Sequence, residues 1–295
     1  MKMPVGDTLE GAFGFAFKSF PSVVGVVWFP YLLAGAIVGG AVYLLHPDVN
    51  AFVASLQQGK DPAAALEAFR KFGNLLGLYS LVFVIAGAMV RVGLMRKALG
   101  LHPGPIFIYF SFGAPVWRMI GASILLGIIV FLIVIAAIAG GGAAVAASGS
   151  ALQQPARGIV DGVAILIAVL FPIYAIFRFI FFLPAVIVAE DRIGLGRSWS
   201  LGGGNVLRII VVLLAIVLAV GLVFGILESF FRPPLVMGGA TFDLRQMVKW
   251  EVQTFTSPVF LGLIVLQSLV TEALLAGASA SGYRAVTGTA EGTAS

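Results

Sequence analysis

Cysteine is absent from this 295-residue chain, which excludes disulfides, thiolate metal ligands and cysteine nucleophiles. Histidine is nearly absent: His46 and His102 fall in different loops and cannot by themselves form a His-rich metal site. Charge is scarce as well. Only 11% of the residues are charged, where a soluble domain carries about 25%. A chain with so little polar surface has to face something other than water. What it has in excess points to lipid: 60% hydrophobic residues, a mean hydropathy of +1.07, 24 phenylalanines and 37 glycines. Glycine is tolerated inside membrane helices, and aromatics pack or anchor them.

The net charge of +5 and pI near 9.7 raise nucleic acid as a partner. The bases, however, sit at the ends of apolar runs instead of in clusters, which is the pattern of membrane anchoring. Nucleic acid is therefore not expected. The start, Met1 to Asp7, is polar, and no short apolar core with a small-residue cleavage site follows it. The chain reads as retained and mature from Met1.

A span needs about 20 mostly apolar residues to cross a hydrocarbon core of about 30 Å. By that rule the spans are residues 20–45, 74–98, 118–142, 159–188, 206–229 and 258–282. In lipid every backbone group must be paired internally, so such runs are helices, and barrel strands would instead alternate polar and apolar residues. The expected fold is an all-α integral membrane domain over 1–288, six transmembrane helices arranged as three hairpins, with a short disordered tail at 289–295.

Six spans put both termini on one side. That side holds Lys2, Lys18, Arg91, Arg96, Lys97, Arg118, Arg192, Arg197, Arg208 and Arg284; the other holds Lys60, Arg70, Lys71, Arg157, Arg232, Arg245 and Lys249. The longer list crowds the helix ends, which places the termini in the cytoplasm of a bacterial inner membrane. On the opposite side, Asp61-Pro62 caps a short helix that Gly73 stops, and 242–255 forms a second interfacial helix. The small-residue stretch 136–151 reads as a flexible turn.

An amphipathic elbow precedes each odd span: Phe15 to Ser22, Tyr109 to Arg118, and Arg197 to Asn205. Three copies of an elbow plus a hairpin is one reading; convergence of three interfaces on the same residue types is the other. In the first elbow Asp7-Thr-Leu-Glu10 forms a capping box, and Leu9, Phe13, Phe17 and Phe20 fall along one face that rests on the leaflet. Among glycine-rich spacings, Gly35/Gly39, Gly221/Gly225 and Ala273/Gly277/Ser281 allow close helix packing. Pro30, Pro172 and Pro184 are expected to kink their helices.

Two features carry chemistry. Arg178 and Glu272 lie inside spans that run in the same direction, about ten and a dozen residues from the terminus-side ends, so a lateral pair in the bilayer is expected. Such a pair either fixes helix register or serves a proton or substrate relay. The second feature is Ser200-Leu-Gly-Gly-Gly-Asn205. It lacks the Gly-Lys-Ser/Thr ending of a phosphate loop, yet Asn205 can cap the fifth span. That positive helix end, with Arg192, Arg197, Trp199 and Arg208 beside it, forms a candidate site for a lipid headgroup.

The segment Phe181 to Asn205 resembles the membrane domain found in one group of glycerophosphodiester phosphodiesterases and in stand-alone bacterial six-helix proteins. The matching positions are Pro184, Glu190-Asp191, Arg197-Ser198-Trp199 and Gly204-Asn205, with Tyr283-Arg284 and Thr287-Gly288 similar to the family's ending; Leu201-Gly202-Gly203 departs from it. The resemblance implies a six-helix membrane fold over roughly 8–288 and no catalysis, since those enzymes act through a separate soluble barrel. The acids here are scattered, and no nucleophile–base or metal constellation can be assembled. The expectation is a non-enzymatic membrane protein without a cofactor that binds anionic lipid or organises membrane, or is an accessory to a membrane-protein partner or a homo-oligomer. A small secondary transporter built on Arg178 and Glu272 is the alternative.

Overall fold

The computed structural model describes residues 1–58, 62–102, 104–151, 153, 155–231 and 257–289. Among these the chain is helical and contains no strand. The helices are α1 (Val5–Lys18), α2 (Phe20–Gln58), α3 (Pro62–Ala98), α4 (Ala114–Ala151), α5 (Ala156–Ile180), α6 (Leu183–Ala189), α7 (Leu195–Gly202), α8 (Val206–Phe231) and α9 (Pro258–Thr287). Six segments are long and apolar enough to cross a membrane: Phe20–Val38, Gly77–Ala98, Ala114–Gly149, Ala156–Ala189, Val206–Phe231 and Pro258–Thr287. The protein is a multi-pass helical membrane protein.

Three boundaries differ from the sequence expectation. Gly73 does not stop a short helix, because α3 runs unbroken from Pro62. Residues 136–151 are not a turn, because α4 continues through Gly140, Gly141 and Gly142 to Ala151. Small residues cost a helix little when its hydrogen bonds cannot be traded for water. Pro184 lies in the first turn of the separate short helix α6 in place of kinking a longer one. The expected helix at 242–255 and all but the first residue of the tail lie outside the described residues.

The core is concentrated at one end. Met3, Val23, Val90, Leu94, Met95, Phe182, Ile187, Ile209 and Leu274 are all essentially inaccessible. By contrast, only 11% of the apolar window of α4, and 11% of that of α5, is buried inside the protein. Their exposed Ile128, Phe131, Ile165 and Leu166 suit a hydrocarbon surround. The packed end is where the amino terminus and the end of α9 lie, since α1 docks on the last turns of α9.

That docking is centred on small residues of α1 and leaves only part of the phenylalanine stripe exposed. Thr8, Ala12 and Ala16 are buried and Leu9 and Phe13 are partly buried against the core, while Phe17 is 67% exposed and stacks on Phe13. The backbones approach so closely that a Cβ on Gly277 would stand 2.9 Å from the Ala12 Cα, and one on Gly11 would overlap the Ser281 side chain. The Ala273/Gly277/Ser281 series is thus spent on α1. Gly35, Gly221 and Gly225 face open space. The capping box does not form: α1 begins at Val5 after Pro4, no side chain caps it, and the Thr8 hydroxyl donates to the Pro4 carbonyl.

The three elbows are built differently. The first is α1 and the third is α7, but the second begins in a non-helical strap over 104–113. Its Ile106 amide donates to Ser22 Oγ at 3.4 Å, and Trp28 Nε1 donates to the Phe107 carbonyl at 2.7 Å.

Candidate functional site at the third elbow

The site begins where α5 ends. After Ile180 the chain turns through Phe181 and Phe182 into α6, whose Leu183, Ala185, Val186, Ile187 and Val188 are buried. An apolar sequence of one turn or two can enter the core only if its polar ends are met. The Ser279 hydroxyl donates to the Phe181 carbonyl at 2.6 Å, and the Ser198 hydroxyl donates to the Phe179 carbonyl at 2.5 Å. The chain leaves α6 at Glu190 and reverses at Asp191, which adopts a left-handed φ of 51°. Aspartate tolerates that conformation better than most residues.

Glu190 is the hub. Arg192 Nε donates to its Oε2 at 3.0 Å, Arg197 Nε to its Oε1 at 3.2 Å, and the Tyr283 hydroxyl to Oε1 at 3.1 Å. Burial alone would raise this carboxyl, but the bonds from Arg192, Arg197 and Tyr283 outweigh it and hold Glu190 below the usual glutamate range. A depressed pKa contributes stability above the ordinary glutamate range and loses it as pH falls through the folded value. Thermal midpoints of the wild type should therefore drop under acid, and Glu190→Gln should remove that part of the acid limb. The two proteins should differ at neutral pH and converge below the depressed pKa. The neighbouring Asp191 carboxylate pairs with Arg118 at the start of α4, so the acidic pair joins three elements.

Of the expected headgroup residues, Arg192 and Arg197 do converge, and their side chains remain 61% and 42% exposed. Trp199, two residues beyond Arg197 on α7, turns its ring to Phe179 and Arg178 instead, and Arg208 is half-buried in the first turn of α8. Asn205 is a correction. It is 2% exposed; its Oδ1 accepts the Met3 amide at 2.9 Å and its Nδ2 donates to the Leu201 carbonyl at 3.1 Å. The amino-terminal segment covers the end of α8, so Asn205 is a buried strut and not a headgroup ligand.

The Arg178–Glu272 pair is also a correction. Arg178 stands only two residues before the end of α5. Its Nε donates to the Trp199 carbonyl at 2.9 Å, its Nη1 to the Tyr174 hydroxyl at 2.9 Å, and its guanidinium carbon lies 3.9 Å from the centre of the Trp199 ring. It fastens α7 to α5 at the elbow. Glu272 has a different cation: Arg91 Nη2 lies 3.9 Å from its Oε1. The sequence signal for Arg178 lay in Trp199, an aromatic platform two turns of chain beyond a helix break that hydropathy does not register. The role of Tyr283 had no signal in spacing.

Among the described residues no group of His, Asp and Glu side chains is gathered closely enough to hold a metal ion. No family model, curated protein or solved structure matches this chain.

Proposed function

We propose that this protein is a non-enzymatic component of the bacterial inner membrane, with cytoplasmic termini, whose third elbow holds anionic lipid headgroups. Binding there organises lipid around the bundle or presents it to a membrane-complex partner. The observation that supports this reading best is the posture of Arg192 and Arg197. Glu190 tethers one edge of each guanidinium and leaves the rest exposed. A planar, weakly hydrated fork held in place suits phosphate oxygens better than a mobile ammonium does. One carboxylate against two guanidinium groups leaves the cluster positive, while Arg118 and Asp191 offset each other. The resemblance of 181–205 to a phosphodiesterase-associated membrane domain agrees with a role at phospholipid headgroups.

Removing both arginines alone would strand Glu190, so the informative comparison is Glu190→Gln against Glu190→Gln/Arg192→Ala/Arg197→Ala. Each basic side chain near a membrane surface is worth about 1 kcal/mol toward anionic lipid. Retention of phosphatidylglycerol or cardiolipin in native mass spectrometry should fall roughly ten- to thirtyfold in the triple variant. Unchanged retention would end the headgroup reading.

A further inference from the structure

A second face of α1, beside the docked one, borders an open cleft at the packed end. Asp7, Gly11, Gly14 and Lys18 share that face, about a third of a turn around the helix from Thr8, Ala12 and Ala16. Lys97 to Leu101 at the end of α3, and Arg284, Ala285 and Thr289 at the end of α9, complete the lining. The cleft encloses about 1190 Å³; small-molecule pockets usually enclose about 300–1,000 Å³. A helix about 10 Å across would fill it over ~15 Å, or about ten residues. With Asp7, Glu10, Lys18, Lys97 and Arg284 in its lining, the cleft opens to water and not to hydrocarbon.

Two of these charges are spent within the protein. Lys97 Nζ donates to the Gly104 carbonyl of the strap at 2.8 Å, and Arg284 Nη1 to the Ala98 carbonyl at 3.0 Å. Asp7, Glu10 and Lys18 are exposed, and among the described residues they make no hydrogen bond or ion pair. The α1 wall is therefore acidic toward its amino end and basic at its carboxyl end, about 16 Å apart from Asp7 to Lys18. Between them the wall is bare. Gly11 is kept small by Ser281, but a Cβ at Gly14 would meet nothing within 4 Å. Glycine weakens a helix interior, and close approach of another backbone is one use that outweighs this. A helix of ordinary polarity carries acids in its first turn and bases in its last, matching its dipole. Such a helix complements α1 only when it runs antiparallel, its acidic turn over Lys18 and its basic turn over Asp7 and Glu10.

We infer that this cleft is a docking groove for one helical segment of a partner protein, about three turns long, acidic in its first turn and basic in its last, lying antiparallel to α1. Length, charge order and the open wall at Gly14 set the fit, in the manner of a helix laid in a groove. The cleft is apart from the third elbow, and the docking does not rest on lipid binding there.

The probe is a fluorescent alanine-based peptide of about fifteen residues, with glutamates in its first turn and lysines in its last. Its twin has the charges exchanged, and a side-chain staple locks both as helices. With the protein in phosphatidylcholine nanodiscs, anisotropy titrations should show the probe binding at least about tenfold tighter than the twin. Asp7→Lys/Glu10→Lys/Lys18→Glu should reverse that order. Gly14→Trp, whose Cβ meets no protein atom, should weaken probe binding about tenfold by filling the groove. The elbow triple variant should bind the probe as the wild type does. The cysteine-free chain adds a readout of direction. A cysteine in the probe's first turn should form a disulfide with Ser19→Cys and not with Thr289→Cys, which lies toward Met1 at the amino end of α1. Equal binding of the two peptides, an order unchanged by the charge exchange, or indifference to Gly14→Trp would each overturn the inference. So would displacement of the probe by phosphatidylglycerol, which would make the occupant a headgroup, or a disulfide between two copies of Ser19→Cys in place of one with the probe, which would make it a second copy.

Discussion

Gly25→Ala should cost about 3–5 kcal/mol and remove most of the monodisperse protein recovered from membranes. A Cβ at this position would stand 1.9 Å from the Ile106 carbonyl oxygen, 2.7 Å from its carbon and 2.9 Å from the Phe107 Cα. These are backbone atoms, so no rotamer change relieves the overlap. The strap would have to lift, and it is pinned on both sides of the glycine by Ser22 and Trp28. Lifting also withdraws Ile106 and Tyr109 from the core, where they are 4% and 8% exposed. Overpacking costs about 1–3 kcal/mol and each lost hydrogen bond about 1 kcal/mol. Gly35→Ala, ten residues along the same helix and facing open space, is the matched control and should be neutral or slightly stabilising. Size-exclusion profiles and thermal midpoints in one detergent check both. Equal behaviour of the two variants would mean that the strap is not seated on α2.

Arg178→Leu should lower stability by about 2–4 kcal/mol through loss of the third elbow's fastening. A hydrogen bond from a charged donor contributes about 1.5–3 kcal/mol, and a cation over an indole about 0.5–2 kcal/mol. Arg178 supplies both to one residue, Trp199. Its own backbone is met by Gly202, where a Cβ would come within 2.6 Å of the Arg178 carbonyl oxygen, so α7 cannot slide to a substitute position. Arg178→Lys keeps a charge near the ring but loses the fork, and should fall between the leucine variant and the wild type. The expected readout is a lower thermal midpoint together with a changed Trp199 emission. A leucine variant as stable as the wild type would show that Ser198 and Phe179 hold α7 without it.

The spans were legible because hydrocarbon imposes one rule on every residue in it. Phe20, Gly77, Ala114, Ala156, Val206 and Pro258 open segments that composition alone marks out. Contacts at the packed end obey no such periodic rule. Phe13 and Phe17 catch the eye in α1, whereas Thr8, Ala12 and Ala16, which hold the protein together, are small and give a weak signal. Small residues matter there through what approaches them, and that depends on a helix more than two hundred residues later. Arg178 was misplaced for a related reason. A hydropathy run does not show that α5 stops at Ile180, so a residue at an elbow reads as one at mid-depth. Arg192 and Arg197 were found together because eight residues of local sequence carry them and Glu190. Tyr283, which completes the cluster, comes from the far end of the chain.

The seating of α1 also fixes an order of events. Gly11 rests against Ser281, Met3 packs at Gly282, and the Met3 amide reaches Asn205 across 202 positions of sequence. The face of α1 therefore lacks its main partner until α9, more than two hundred residues later, has been made. Until then the Thr8–Ala12–Ala16 face waits, and α1 slots home only when α9 arrives. Delivery of α9 is itself the latch, and a nascent chain that stops short of it carries α1 without the helix it closes on.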